Sequence, residues 1–297
     1  MPTVKRAVRE VLPEITWDKI APPYPDYPYF QGIDAYPFRP HADAFDMVNA
    51  WWLIEASTLA YAEEDFAGEK FQCAGFKEIK FFSGNSTQCY VANNDDFLIL
   101  VFRGTEIRRR PDRSDYHNII ADLEADADIA LVESGQGGKV HRGFQEALDE
   151  VWEQKGLLDH LRSKENSRRS VWFSGHSLGA GLATVAAQRY YGKLRALYTY
   201  GSPRVGDLDF QKAFLVPAYR FQNHNDIVTR VPPPLVYRHV GDLKYIDGEG
   251  LIQDNPDSWE TGKTLSFLAA CFDALIPEAI VDHVPILYST HIWNNIP

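Results

Sequence analysis

The pentapeptide Gly175-His176-Ser177-Leu178-Gly179 constrains this chain more than any other stretch. Before it stands Val171-Trp172-Phe173, an apolar run that reads as a buried strand, and after it residues 180–190 read as a helix. A serine between two glycines on a strand-to-helix turn is forced into a strained, exposed position. The glycines are needed because a side chain at either position would collide with the tight turn. The following helix aims its N-terminal N–H groups at any negative charge that develops beside the serine. Its first residues, Ala180-Gly181-Leu182-Ala183, are small enough to pack closely on a sheet. The context predicts a nucleophilic serine at Ser177.

The rest of the chain alternates in the same manner. Residues 97–102, Phe-Leu-Ile-Leu-Val-Phe, form a continuous apolar run, as a strand buried on both faces should. Further strands are expected at 71–82, 88–92, 170–174, 196–200, 218–221 and 237–240, with helices at 43–63 and 143–162. Strands alternating with helices predict an α/β fold with a mostly parallel central sheet flanked by helices. The 297 residues, 45% of them hydrophobic, suffice for one large domain. Residues 13–40 are dense in proline and aromatics. Prolines at that density block helix and sheet ladders, so residues 1–42 are expected to form an extended arm over a catalytic domain spanning 43–297.

The net charge is −11, from 30 basic and 41 acidic residues. Such a chain is a poor nucleic-acid partner, because phosphate contacts need Lys and Arg, and anionic membranes would repel it. A weak contact with a neutral lipid–water interface through an apolar face stays open. The spacing of Cys73 and Cys89 allows a bridge across two strands, but three cysteines build no disulfide framework. The N-terminus lacks the apolar core of a signal peptide. The expectation is a chain that stays inside the cell or one whose signal has been removed. No stretch reaches the roughly 18 apolar residues of a membrane-spanning helix.

A nucleophilic serine needs a base, a group to orient that base, and donors for an oxyanion. On folds that use this turn, the acid follows the serine in the chain and the histidine comes last. His224, His239, His283 and His291 follow Ser177. Asp226 fits the acid, since it follows the strand around 219–221 within the turn-forming cluster Asn223-His224-Asn225-Asp226. Asp242 and Asp247 are its rivals. His283, at the join of an apolar segment and a proline-restricted loop, is the better base, with His291 the runner-up. His239 reads as a structural strand histidine, and His176 as a residue that packs or hydrogen-bonds beneath the serine. For the oxyanion, Gly104 lets the backbone turn so that the N–H of Thr105 faces the pocket, and the second donor is the N–H of Leu178. Arg103 reads instead as a structural partner of Asp122.

Several blocks, in order over residues 75–290, resemble the class 3 (fungal-type) lipases of the α/β-hydrolase fold. They are Phe102-Arg103-Gly104-Thr105, Asn118-Ile119-Ile120-Ala121-Asp122-Leu123, Val140-His141-Arg142-Gly143-Phe144, the serine pentapeptide, Tyr200-Gly201-Ser202-Pro203-Arg204, Asn223-His224-Asn225-Asp226-Ile227-Val228 and Asp282-His283-Val284-Pro285. The resemblance implies Ser177 as nucleophile, Asp226 as acid, His283 as base, and Thr105 with Leu178 as the oxyanion hole. It implies no metal and no organic cofactor, and a lipid or other ester as substrate. Triacylglycerol lipase or esterase is the activity it favours. Phospholipase A1, feruloyl-type esterase, polyester hydrolase and acyltransferase use the same site, and a catalytically silent lipid-binding module is the contrasting class.

The chain departs from the family between the Phe-Arg-Gly-Thr block and residue 118, where the lid belongs. Residues 106–117 hold only Ile107, Pro111 and Tyr116 as apolar side chains, beside Arg108-Arg109-Arg110. Pro111 opposes one continuous helix, and so polar a segment offers little to a lipid droplet. Strong activation at an oil–water interface is therefore not expected, and shorter or more soluble esters are. Residues 265–281, with Phe267, Leu268, Phe272, Leu275 and Ile276, are the best source of an acyl groove; ordinary core is the competing reading.

Overall fold

The apolar run at 97–102 sits in the interior of a sheet, covered on both faces. The computed structural model describes residues 10–16, 19–104, 131–163, 165–190, 194–256 and 278–297. Within them the chain forms helices α1 (Met47–Leu59) and α2 (Glu64–Cys73), then strands β1 (Glu78–Ser83), β2 (Gln88–Asn93) and β3 (Phe97–Phe102). A small antiparallel pair, β4 (Leu131–Glu133) and β5 (Lys139–His141), leads into α3 (Arg142–Trp152) and α4 (Leu157–Leu161). There follow β6 (Ser170–His176), α5 (Leu178–Arg189), β7 (Leu194–Tyr200), α6 (Leu208–Ala213) and β8 (Ala218–Asn223). The last elements are β9 (Asp242–Ile246), β10 (Ile252–Asp254), α7 (Glu278–Val281) and α8 (Pro285–Asn294).

The main sheet has eight strands in the order β1-β2-β3-β6-β7-β8-β9-β10. From β3 to β9 neighbours run parallel, and antiparallel strands close both sides. Phe97, Ile99 and Val101 of β3 enter one core with α1, while Leu98, Leu100 and Phe102 enter the other with α3 and α5. The parallel core and its covering helices are those of the α/β-hydrolase fold. Parallel strands also deliver their C-terminal ends to one edge, so the loops after β6, β7 and β8 gather there.

Twelve of the thirteen residues of α1 are buried, so the helix is covered all round. Its outer cover comes from the proline-rich segment: Tyr29, Phe30 and Phe38 belong to the same core. Phe38 stacks on Phe97 at 4.3 Å, and Trp52 donates its indole N–H to the Tyr36 carbonyl at 2.8 Å.

Some expected elements differ. Residues 71–73 end α2 rather than start a strand, and β1 begins only at Glu78, because Phe71 is the buried anchor of an amphipathic turn. The helix read over 143–162 is two helices, broken where Gly156 turns left-handed. Residues 237–240 form no strand; Arg238 makes one isolated bridge to Gly206, and β9 takes the place in the sheet. The Cys73–Cys89 bridge is not formed: Cys73 is exposed on α2 and Cys89 buried in β2, both as free thiols. The lid segment 106–117, Asp122, Cys271 and residues 265–277 lie outside the described residues. Arg103 donates to Gln88 Oε1 at 2.5 Å.

Glu55 is the one acidic residue sealed inside α1. Its carboxyl accepts from the Tyr27 hydroxyl at 2.7 Å, the Phe30 N–H at 2.7 Å and the Ser289 hydroxyl. Burial outweighs these donors and pushes the group up from 4.5 to about 7. The folded state thus holds this proton more tightly than the unfolded chain. Its contribution is full below about pH 4.5 and is lost as pH rises toward 7, at no more than ~1.4 kcal/mol per pH unit. Glu55→Gln keeps an acceptor oxygen and cannot ionise. Thermal melts from pH 5 to 8 should show the variant gaining on the wild type as pH rises; a difference independent of pH would refute ionisation of Glu55.

Candidate active site

Ser177 joins β6 to α5 and holds φ 59°, ψ −132°, a region that L-residues rarely occupy. The turn is closed from two sides. A Cβ on Gly175 would lie 2.3 Å from the Gly179 carbonyl oxygen, and one on Gly179 would lie 2.3 Å from that of Phe102, at the end of β3. Both glycines are therefore sites of close approach, as the pentapeptide requires. Leu178 opens α5, so its N–H belongs to the first helical turn, whose donors have no partner within the helix.

Asp226 follows β8 and is completely buried, and His283 lies in the turn between α7 and α8. His283 Nε2 is 2.9 Å from Ser177 Oγ. His283 Nδ1 is 2.9 and 3.0 Å from the two carboxylate oxygens of Asp226. The Val228 N–H donates to Asp226 Oδ1 at 2.9 Å and the Tyr288 hydroxyl to Oδ2 at 2.6 Å. Tyr288 in turn accepts the Asn223 N–H at 2.9 Å. Burial, reinforced by the adjacent Asp226 charge, holds the Tyr288 hydroxyl far above its ordinary range, so it stays a donor. A carboxylate at Nδ1 fixes the tautomer with its proton there, which leaves Nε2 to accept from Ser177. An imidazole so held can take the serine proton while the carboxylate stabilises the resulting cation.

His176 lies beneath the serine. Its Nε2–H donates to the His283 carbonyl at 2.8 Å and its Nδ1 accepts from the Tyr61 hydroxyl at 2.9 Å. Burial, with His283 nearby, lowers its pKa well below the imidazole range, so it is a neutral brace. Gly104 packs against Tyr61 and the His176 carbonyl, which sets the end of β3 beside the elbow. Thr105, the next residue, is outside the described residues.

The remaining candidates are elsewhere. His239 is half-buried and its Nε2–H donates to the Thr229 carbonyl at 2.8 Å. His291 sits in α8 beside Gly250. Asp242 starts β9 at the opposite edge of the sheet from Asp226, and Asp247 caps the turn after β9 by accepting from the N–H groups of Glu249 and Leu251. Two residues of this centre carried no role in the sequence reading. One is Tyr288. The other is Gly201, just after β7 with φ +58°, where a Cβ would lie 2.7 Å from Asp226 Oδ2 and 2.9 Å from His283 Nδ1. Gly201 stands inside a quoted sequence block, where position alone could have flagged it, whereas Tyr288 lies three residues beyond one.

A family profile described as "Lipase (class 3)" matches residues 99–236. The chain is 39% identical over 125 residues to "Secreted mono- and diacylglycerol lipase 1" of Fusarium solani, a match covering 40% of this chain and 37% of that protein. It is 27% identical over 234 residues to a lipase of Rhizomucor miehei, covering 71% of this chain and 60% of that one. These matches thus span less than two thirds of the relatives' own length. Among solved structures, the Rhizomucor miehei triacylglyceride lipase superposes with a TM-score of 0.51 at 27% identity, over 70% of this chain and 83% of that one. A mutant of MDLA from Penicillium cyclopium shares the fold with a TM-score of 0.61 at 22% identity, over 80% and 96% of the two chains. Profile, relatives and superposition agree with the serine turn and the sheet that carries it: over residues 99–236 the chain matches the class 3 lipase profile, and its sheet is that of the fungal lipases it resembles.

Proposed function

We propose that this chain is a carboxylic-ester hydrolase that acts on acylglycerols through an acyl-enzyme on Ser177. The observation that carries this is the unbroken line from Ser177 Oγ to His283 Nε2 and from His283 Nδ1 to Asp226, 2.9 Å at each step, on a strained turn at a helix N-terminus. The relatives named as acylglycerol lipases supply the substrate class.

His283 takes the hydroxyl proton as Ser177 Oγ attacks the ester carbonyl carbon. Asp226 stabilises the imidazolium. The N–H groups of Leu178 and Thr105 hold the oxyanion, at ~3–4 kcal/mol per donor in comparable sites. The tetrahedral species collapses, the alcohol leaves with the proton from His283, and the acyl group stays on Oγ. Water then attacks the acyl-enzyme, gives its proton to His283, and the fatty acid departs as Ser177 recovers its hydrogen. No step calls for a metal or an organic cofactor. In this reading residues 43–297 form the catalytic domain, residues 1–42 an appended segment and residues 106–117 the lid. Among the described residues no helix is long and apolar enough to cross a membrane.

Ser177→Ala should lower turnover of p-nitrophenyl esters by about 10⁶, by analogy with other serine triads; equal hydrolysis by both proteins would remove Ser177 from the mechanism. Gly201→Ala would push the Asp226–His283 pair apart. Since ~1 Å of misplacement can cost ~100-fold, kcat should fall by about that factor with KM little changed; an unchanged kcat would mean the pair tolerates the methyl group. The polar composition of 106–117 predicts a smooth rate curve from soluble tributyrin to emulsion. A sharp jump at the solubility limit would show that the segment works as an interfacial switch.

A further inference from the structure

The acid and the base come from two chain segments that meet only at this edge of the sheet, and a second set of contacts joins those segments just outside the triad. On the acid side stand Asn223, His224 and Asn225; on the base side stand Glu278 and Asp282. Asp282 Oδ2 accepts the Asn225 N–H at 2.9 Å, and the Asp282 carbonyl accepts the Asn223 side-chain amide at 3.0 Å. His224 Nδ1 lies 3.3 Å from Asp282 Oδ2 and 3.1 Å from Glu278 Oε1. The His224 backbone has φ 32°, outside the ordinary range of L-residues, while its N–H is tied to the Ile246 carbonyl at 2.8 Å. Strain at a single residue persists where surrounding contacts over-determine it.

We propose that His224 and Asp282 form a positioning clasp, a polar contact between imidazole and carboxylate that fixes the separation of Asp226 and His283 and so sets the turnover rate. The proposal rests on the triad reading above. Asp226 is anchored by β8, Val228 and Tyr288, whereas His283 follows a helix of a single turn, α7. The Asp226–His283 contact and the His176 bond to the His283 carbonyl hold the base itself. A further tie, one residue before His283 and two before Asp226, sets how closely the two segments approach. The tie has the right chemistry for a half-buried site. Asp282 is 13% exposed and His224 22%, so neither polar group is fully met by water and each gains from a partner in the protein. Glu278, 66% exposed, adds a weaker outer contact. Burial, with the Glu278 and Asp226 charges adding to it, pushes the Asp282 carboxyl up to about 6, against the Asn225 N–H and the His224 imidazole, which both pull it down. Neither residue reaches Ser177, so each acts through the acid and the base rather than on substrate.

The test compares wild type, His224→Gln, Asp282→Asn and the double variant on a soluble p-nitrophenyl ester, beside Ser177→Ala. Active serine is counted by stoichiometric labelling with a fluorophosphonate, so that kcat refers to competent sites only. Asp282→Asn keeps an oxygen for the Asn225 N–H and loses the charge. Each single variant should lose about tenfold in kcat per labelled serine, with KM within about twofold, and the double variant should lose no more than either single, the mark of two groups acting as one. Unchanged kcat per labelled serine, or losses that multiply in the double variant, would overturn the clasp. A merely structural pair would lower the labelled fraction and the melting temperature and leave kcat per site alone. Should Asp282→Asn fail to fold, His224→Gln, at the more exposed position, decides the matter by the same kcat criterion. Wild-type hydrolysis that survives Ser177→Ala overturns the triad and the clasp together, whereas Ser177-dependent hydrolysis with intact kcat in the clasp variants overturns the clasp alone.

Discussion

The site depends on a backbone conformation that the chain would not adopt by itself. Ser177 at φ 59° costs of order 1–3 kcal/mol, and the cost is met by packing on all sides of the turn. β6 is buried along its whole length between β3 and β7. After Leu178, α5 continues with Gly179, Ala180 and Gly181, whose lack of bulk lets its first turn press against the end of β3 and the Phe144 ring. Straightening the turn would pull α5 away from a sheet it touches along nearly its full length. Sheet and helix thus act as a vice, and the serine hydroxyl is fixed relative to everything else that rides on the strand ends.

The second constraint is the burial of Asp226. A carboxylate with no exposed surface is tolerable only when it is hydrogen-bonded and paired. Val228, Tyr288 and His283 each give it a donor, and each comes from a different stretch: the loop after β8, helix α8 and the turn before α8. The demand for satisfied hydrogen bonds therefore organises the site as much as catalysis does. His176 extends the same logic to the base, since its ring holds the His283 carbonyl while Tyr61 holds the ring. Neutral Tyr288 and neutral His176 surround the Asp226–His283 pair, and in the proposed mechanism neither competes for the proton that the pair moves.

What the sequence made legible was local. The run at 97–102 announced a strand buried on both faces, and the serine pentapeptide announced its turn, because both signals lie within a few consecutive residues. That Asp226 and His283 come together beside Ser177 was readable in part, from the place of Asp226 after a strand and from the proline two residues beyond His283. Tyr288 was not readable, because in sequence it is one more aromatic on an apolar helix and its role comes from a carboxylate 62 positions away. β9 escaped notice for a related reason. Lys244 interrupts its apolar pattern, yet it is buried, its ammonium 4.0 Å over the Phe45 ring and paired with Asp254 at 2.5 Å. A lysine stem can cover apolar surface while its charge finds a partner, and no neighbour in sequence reveals that partner.

Helix α8 links two buried carboxylates, those of Asp226 and Glu55. Tyr288 bonds the carboxylate of Asp226, and the next residue, Ser289, bonds that of Glu55 in α1. Consecutive residues on a helix point about 100° apart, so one helix reaches both centres with adjacent side chains. Glu55 also receives Tyr27 and the Phe30 N–H, both from the proline-rich segment. A shift of that segment would disturb the donors of Glu55, then the seat of α8, and then the tyrosine that steadies Asp226. The aromatic residues of 27–38 are therefore better described as the outer wall of the core that supports Asp226 than as a cover laid over a finished domain.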